Sequence, residues 1–83
     1  MPDPDWRRLP SLSALRAFEA TARLDGFSAA ARALNVTPAA VAQQVRGLEA
    51  DLGVALVIRQ GRGLVLTPEG ARLAAALAEG FST

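Results

Sequence analysis

Two predicted helices lie so close together in this sequence that only a very short turn can join them. The second of these helices begins at Thr37-Pro38, where the threonine can cap the helix and the proline takes a first-turn position that needs no N–H. The first begins at Ser28 and ends at Asn35, which tolerates the left-handed conformation of a helix stop. Two helices joined in this way predict a helix-turn-helix unit.

The side chains around this turn suit a close crossing of the two helices. Ala31 is small, so the second helix of the unit can pass close over it, and we expect Val36, Val41 and Val45 to fill the angle between them. The opposite face of the second helix is then free to enter the major groove of DNA. That face is expected to carry Ala39, Ala42, Gln43 and Arg46.

Another helix is predicted before the unit, from a cap at Ser11 or Ser13 to a stop at Asp25-Gly26. Apolar residues recur along it at three- and four-residue spacing, which indicates one buried stripe. The stripe consists of Leu12, Leu15, Phe18 and Ala22.

A β-hairpin and a last helix are predicted after the unit. The apolar runs 55–58 and 64–66 flank Arg59-Gln60-Gly61-Arg62-Gly63, and two glycines in a short polar connector are typical of a hairpin. Thr67-Pro68 then repeats the helix start seen at Thr37-Pro38. One side of the last helix is lined by Leu73, Leu77 and Phe81. The fold class predicted from this order is mainly α: a winged helix-turn-helix with a three-helix core, a two-stranded β wing and a C-terminal linker helix.

Composition argues against an enzyme. The 83 residues include no Cys, His, Lys or Tyr, so a cysteine nucleophile, Schiff-base chemistry on lysine, the commonest general base and the commonest metal ligand are missing. We therefore expect no catalytic residues, no metal site and no cofactor. The net charge is only +1, but the acids are unevenly placed. Residues 27–48 and 54–68 contain arginines and no acid, so the presumed DNA face is positive.

The chain divides into three predicted parts. Residues 1–10 are rich in proline and are expected to form a flexible arm, residues 11–66 the winged helix-turn-helix domain, and residues 67–83 the start of a linker and dimerisation helix. The start is acidic, unlike a signal peptide, and the longest apolar run, at 73–78, is too short to cross a bilayer. A cytoplasmic location without membrane contact is expected.

The stretch from Leu9 to Gly70 resembles the N-terminal DNA-binding domain of the LysR-type transcriptional regulators. The resemblance is carried, in order, by Leu15-Arg16-Ala17-Phe18-Glu19-Ala20, Gly26-Phe27-Ser28-Ala29-Ala30-Ala31, Leu34-Asn35-Val36-Thr37-Pro38-Ala39-Ala40-Val41, Gln43-Gln44-Val45-Arg46-Gly47-Leu48-Glu49, Leu52-Gly53, Leu56, Arg59, Arg62 and Leu66-Thr67-Pro68-Glu69-Gly70. The opening of the third helix further resembles the branch that includes the glycine-cleavage activator.

The resemblance implies sequence-specific binding to an interrupted dyad in double-stranded promoter DNA, as a homodimer or, in the full-length chain, a higher oligomer. It implies that Thr37, Pro38 and Ala39 enter the major groove and that Ala42, Gln43 and Arg46 lie along it. Arg59 and Arg62 would be wing contacts to the backbone and minor groove. A small-molecule effector would act only through a domain absent here, so we expect this chain to be the excised DNA-binding domain of a longer regulator.

The sequence departs from the family's commonest pattern at Pro38, Ala39 and Ala42, whose side chains cannot hydrogen-bond a base. Direct readout would then fall on Gln43 and Arg46.

Several alternatives remain open. The domain could instead be a winged-helix module for protein–protein interaction, which the low net charge favours. Arg59 could pair with Glu49 or Asp51, and Arg32 is either solvated or bound to a phosphate. The stripe on the last helix either packs on the first helix or, as we expect, forms the dimer seam.

Overall fold

A computed structural model of the protein describes residues 11–81, which form four helices and one two-stranded antiparallel sheet. In chain order these are α1 (Leu12–Leu24), α2 (Phe27–Leu34), α3 (Pro38–Leu52), β1 (Val57–Gln60), β2 (Gly63–Leu66) and α4 (Pro68–Phe81). This order confirms the predicted mainly helical fold with a two-stranded wing. The predicted flexible arm, residues 1–10, lies outside the described residues.

The turn of the helix-turn-helix forms as its sequence predicts. The Oγ1 atom of Thr37 accepts a hydrogen bond from the Ala40 amide at 3.1 Å, and Pro38 is the first helical residue of α3. Asn35 ends α2 with a φ of 60°, and Gly53 ends α3 with a φ of 71°. Short-range capping bonds therefore fix both ends of α3.

The start of α2 differs from the prediction. Ser28 is not its cap: the helix begins one residue earlier at Phe27, with Gly26 as the N-cap and no side-chain capping bond. The reason lies in the preceding stop, where Asp25 takes the left-handed conformation (φ 64°) and Gly26 follows with a φ of 146°. Only glycine adopts this second conformation readily, so the chain turns into α2 within two residues.

The core is small and rich in alanine. Phe18, Val41, Val45, Leu48 and Leu56 are fully buried at its centre. Small side chains from α1 and α2 surround them, which lets the helices approach closely; these are Ala14, Ala17, Ala20, Ala30 and Ala31. Ala31 is buried with them, as expected for a small residue where two helices cross.

Two apolar residues that the sequence assigns to the interior lie largely outside it. Leu12, the first residue of α1, is 58% exposed, because the helix begins there before it reaches its neighbours. Val36 is 49% exposed, so the prediction that it fills the angle between the helices is wrong. Its amide donates to the Ala31 carbonyl at 3.0 Å, which holds it at the outer end of α2.

The two strands of the wing lie closer to the connecting turn than the apolar runs 55–58 and 64–66 predict. Val57 pairs with Leu66, Ile58 with Val65, Arg59 with Leu64 and Gln60 with Gly63. Ala55 and Leu56 were expected in the first strand but precede it. Leu56 is buried in the core, and its carbonyl accepts from the Thr67 amide at 3.0 Å rather than from a strand partner.

Helix α4 begins where the wing returns to the core. The Oγ1 atom of Thr67 accepts from the Gly70 amide at 2.9 Å and donates to the Ala55 carbonyl at 2.7 Å. Helix α4 packs on α1, and Leu73 and Leu77 are half-buried against the core. Two of the three residues predicted for a dimer seam therefore contact their own domain; the side chain of the third, Phe81, lies outside the described part of the chain.

Candidate nucleic-acid interface

An exposed face runs along the outside of α3. Ala39, Gln43 and Arg46 follow one another at four- and three-residue spacing and are all exposed. Thr37 and Pro38, at the start of the helix, are exposed as well. A rotation of about 100° per residue brings Ala39, Gln43 and Arg46 to one side of the helix. Pro38 is rotated about 100° from Ala39, and Thr37 is the N-cap that precedes the helix. Five of the six residues predicted to contact DNA at this helix are therefore exposed, and three of them share one side of α3.

Ala42 is the exception. It is only 7% exposed, so the placement of this side chain on the outer face is wrong. The helical rotation of about 100° per residue puts position 42 between the buried Val45 and the exposed Arg46. Residues that the sequence reasoning left out, Gly47 and Ala50, are exposed on the outer side instead. Because Ala39, Gly47 and Ala50 are small, another molecule can approach the helix backbone closely.

The wing presents two arginines. Arg62 lies in the turn between the strands, and Arg59 lies on β1, opposite Leu64; both are exposed. Within residues 11–81 neither arginine forms an ion pair, and Glu49, the partner considered for Arg59, is engaged elsewhere. Both guanidinium groups are therefore available to an external anion.

Glu49 holds the wing against α3. Its Oε2 atom accepts hydrogen bonds from the Leu56 amide at 2.7 Å and from the Val57 amide at 3.2 Å. One side chain near the end of α3 thus holds the chain that enters β1, which ties the wing to the helix that carries the exposed face. Sequence reasoning missed this role, since no local pattern marks a bond that spans seven or eight residues.

A cleft of about 410 Å³ opens between the start of α2 and the wing. Arg32 of α2 lines it together with Arg59 and Arg62. The structure therefore groups a third arginine with the two that the sequence assigned to the wing. No group of three or more His, Cys, Asp or Glu residues that could hold a metal ion occurs in the described range 11–81. None of the helices there is long and apolar enough to cross a membrane.

Sequence comparison relates the chain to bacterial regulators. Residues 12–71 match the family described as "Bacterial regulatory helix-turn-helix protein, lysR family". The chain is 68% identical over 82 residues to the AhcY transcriptional activator HvrB of Rhodobacter capsulatus, covering 99% of this chain and 28% of HvrB. It is 59% identical over 75 residues to the transcriptional regulator TrpI of Pseudomonas aeruginosa, covering 90% of this chain and 25% of TrpI. The chain thus spans about a quarter of the length of these relatives.

Solved structures share the fold. The BenM DBD in complex with catB site 1 DNA superimposes with a TM-score of 0.81 at 30% identity, covering 87% of this chain and 80% of that one. The CbnR DBD–DNA complex gives a TM-score of 0.74 at 37% identity, covering 87% and 86%. OxyR of Corynebacterium glutamicum gives 0.81 at 31% identity, over 89% of this chain and 23% of that one. The winged helix-turn-helix fold is confirmed; the glycine-cleavage-activator branch stays a prediction.

Proposed function

The chain belongs to the LysR family of bacterial regulatory helix-turn-helix proteins, and from this premise we propose that it binds double-stranded promoter DNA sequence-specifically to regulate transcription. One observation carries the proposal: the exposed face of α3 lies in the same domain as a wing that Glu49 joins to α3 and whose arginines have no acidic partner among residues 11–81. An α-helix fits the major groove, and arginine suits the backbone and minor groove beside it. Such a role places the protein with the bacterial nucleoid in the cytoplasm.

Base readout is assigned mainly to two side chains. Gln43 can pair bidentately with adenine, and Arg46 can read guanine or hold a phosphate. Each good bidentate contact discriminates by about 1–3 kcal/mol against the wrong base. Pro38 and Ala39 offer only apolar contact, for example with a thymine methyl group, and Thr37 can contact a phosphate. Because Ala42 is nearly buried, its share of the interface is small. Wing contacts by Arg59 and Arg62 and the shape of the DNA supply the rest.

We further propose that residues 11–66 read the DNA and that residues 67–83 belong to a helix that joins two copies into a homodimer. Leu73 and Leu77 are half-buried in the single chain, so part of each side chain remains to meet a second copy, with Phe81. Binding of a small-molecule effector is assigned to protein sequence outside this chain. An enzymatic role is not proposed, since the relatives are named as regulators.

Selection of bound fragments from a pool of genomic duplexes tests the proposal. The protein is expected to enrich a dyad-like sequence, and a Gln43→Ala/Arg46→Ala/Arg62→Ala variant is expected to lose this preference. Arg72→Ala, which removes one exposed charge from α4, serves as the control and should enrich the same sequence. Equal recovery of all fragments by the unchanged protein would refute sequence-specific binding.

A second candidate function is a module that docks another protein. The net charge of +1 and the alanines along α3 favour it. Competition separates the two functions, because a protein-docking surface should be indifferent to added duplex DNA.

A further inference from the structure

The cleft between α2 and the wing contains more positive charge than its surroundings balance. Arg32 reaches it from the last turn of α2, while Arg59 and Arg62 reach it from β1 and the wing turn. These residues are distant in sequence, so only the fold brings them to one opening. All three are exposed, and none forms an ion pair within residues 11–81.

One acid also lines the cleft. Asp25, the left-handed stop residue of α1, lies on its rim together with Ser28 at the start of α2. A single carboxylate against three guanidinium groups leaves the cleft positive. Like charges gathered in one opening repel each other, and an anion placed among them removes that repulsion. The planar fork of arginine matches phosphate oxygens in particular.

We propose that Arg32, Arg59 and Arg62 together bind the phosphate backbone of the duplex in this cleft, an arrangement that we call the clamp. The carboxylate of Asp25 weakens this binding. The inference rests on the proposed DNA-binding function and adds a residue of α2 to it. The backbone would then pass between α2 and the wing while α3 occupies the adjacent groove. Phosphate contacts position a protein on DNA without reading its sequence. Arg32 is therefore a positioning residue that sets affinity and salt dependence, not base preference.

The test compares Arg32→Ala with Arg72→Ala in binding titrations over a series of salt concentrations. Each variant removes one exposed helical arginine, and alanine is a strong helix former, so both should fold as the unchanged protein does. Arg72 lies on α4 and does not line the cleft. The probes are the duplex enriched in the selection experiment and a scrambled duplex of equal length.

Arg32→Ala is expected to bind both probes about tenfold more weakly at low salt. The slope of log Kobs against log salt should become shallower by about 0.9 per bound chain, because one phosphate contact is lost. Arg72→Ala should leave the slope unchanged. Asp25→Asn is expected to tighten binding to both probes, and asparagine also tolerates the left-handed conformation at position 25.

The outcomes separate this inference from the function on which it rests. If the unchanged protein binds DNA but Arg32→Ala and Arg72→Ala behave alike, the clamp is refuted and the proposed function stands. A loss confined to the enriched duplex would assign Arg32 to base readout and would also refute the clamp. If the unchanged protein binds neither probe, both proposals fail.

Discussion

Glu49 shows how much one side chain can decide in a small domain. Its carboxylate accepts two backbone amides, those of Leu56 and Val57, at the point where the chain leaves α3 for the wing. A partly buried amide that loses its acceptor costs about 1–3 kcal/mol. The residue therefore contributes both to stability and to the placement of the two surfaces that we propose to contact DNA.

Replacement of Glu49 should separate these contributions. Glu49→Ala is expected to lower the free energy of unfolding by about 1–3 kcal/mol, because two amides lose their acceptor. Glu49→Gln keeps a carbonyl oxygen as acceptor and should lose less. Urea unfolding followed by circular dichroism measures both values. Equal stability of all three proteins would show that the bonds contribute nothing.

Two helical glycines are expected to respond in opposite directions to alanine. At Gly70 an added Cβ would overlap the Leu56 carbonyl, whereas at Gly47 it would meet nothing within 4 Å. Gly70→Ala should therefore destabilise the fold by about 1–3 kcal/mol through overpacking. Gly47→Ala should stabilise it by about 0.5–1 kcal/mol, because alanine loses less backbone entropy in a helix. Thermal unfolding of the two variants checks the signs, and a shift in the same direction for both would contradict this reading of the packing.

At the scale of elements, the apolar side of α4 packs against the core of its own chain, whatever further contact it makes with a second copy. Leu73 and Leu77 pack against buried residues, while Arg72 on the same helix is exposed. The sequence shows only that an apolar stripe exists, since a stripe that packs on α1 and one that forms a dimer seam have the same spacing. Because α4 lies beside α1, part of the stripe is buried within the domain and only the remaining part can contact a second copy.

Truncation of the stripe tests how it divides between the two roles. Leu73→Ala and Leu77→Ala should each lower stability by about 1–3 kcal/mol, less than for fully buried leucines because both are half-exposed. A contribution from a dimer seam would make the loss depend on protein concentration. Unfolding measured across a range of concentrations, beside sedimentation equilibrium and the Arg72→Ala control, distinguishes the roles. Losses independent of concentration, with an unchanged oligomeric state, would exclude these leucines from a seam.

Some boundaries of helices and strands could be predicted from the sequence, and others could not. Thr37, Asn35 and Gly53 act on amides or carbonyls within a few residues, or on their own backbone angles, so their roles could be predicted from the sequence. The prediction that Ser28 caps α2 was wrong. The left-handed backbone at Asp25 and the positive φ of Gly26 turn the chain earlier, so α2 begins at Phe27 with Gly26 as its N-cap. The first strand begins later than predicted because Leu56 is buried in the core. Its amide donates a hydrogen bond to Glu49, and its carbonyl accepts one from the Thr67 amide, so neither group pairs with β2.

At the scale of the whole molecule, a net charge of +1 conceals an uneven surface. Arg32, Arg46, Arg59 and Arg62 are exposed and have no ion-pair partner within residues 11–81, whereas Glu19, on α1, is buried and paired with Arg23 at 3.0 Å. Arg16 on α1 and Arg72 on α4 are also exposed and unpaired within that range. The proposed DNA contacts involve only the first four arginines, so few phosphates are neutralised. The affinity of the protein for DNA should depend only weakly on salt.

The salt dependence can be stated as a number. If only these four arginines contact phosphates, the slope of log Kobs against log salt should be no steeper than about −4 per bound chain. Binding titrations on a duplex of mixed sequence measure it. A slope steeper by about 2 would contradict the assignment, since it would require about two further phosphate contacts. Arg7 and Arg8, which lie outside the described residues, could supply them.

The sequence by itself determined the order of the elements, the short turn of the helix-turn-helix and the arginines of the wing. Each of these depends on caps, stops and spacings that act within a few residues along the chain. The tertiary structure alone decided that Ala42 lies nearly buried beside the outer face, that Glu49 ties the wing to α3, and that Arg32 shares a cleft with Arg59 and Arg62. These features depend on which elements pack together, and local spacing does not encode contacts between residues that are far apart in the chain.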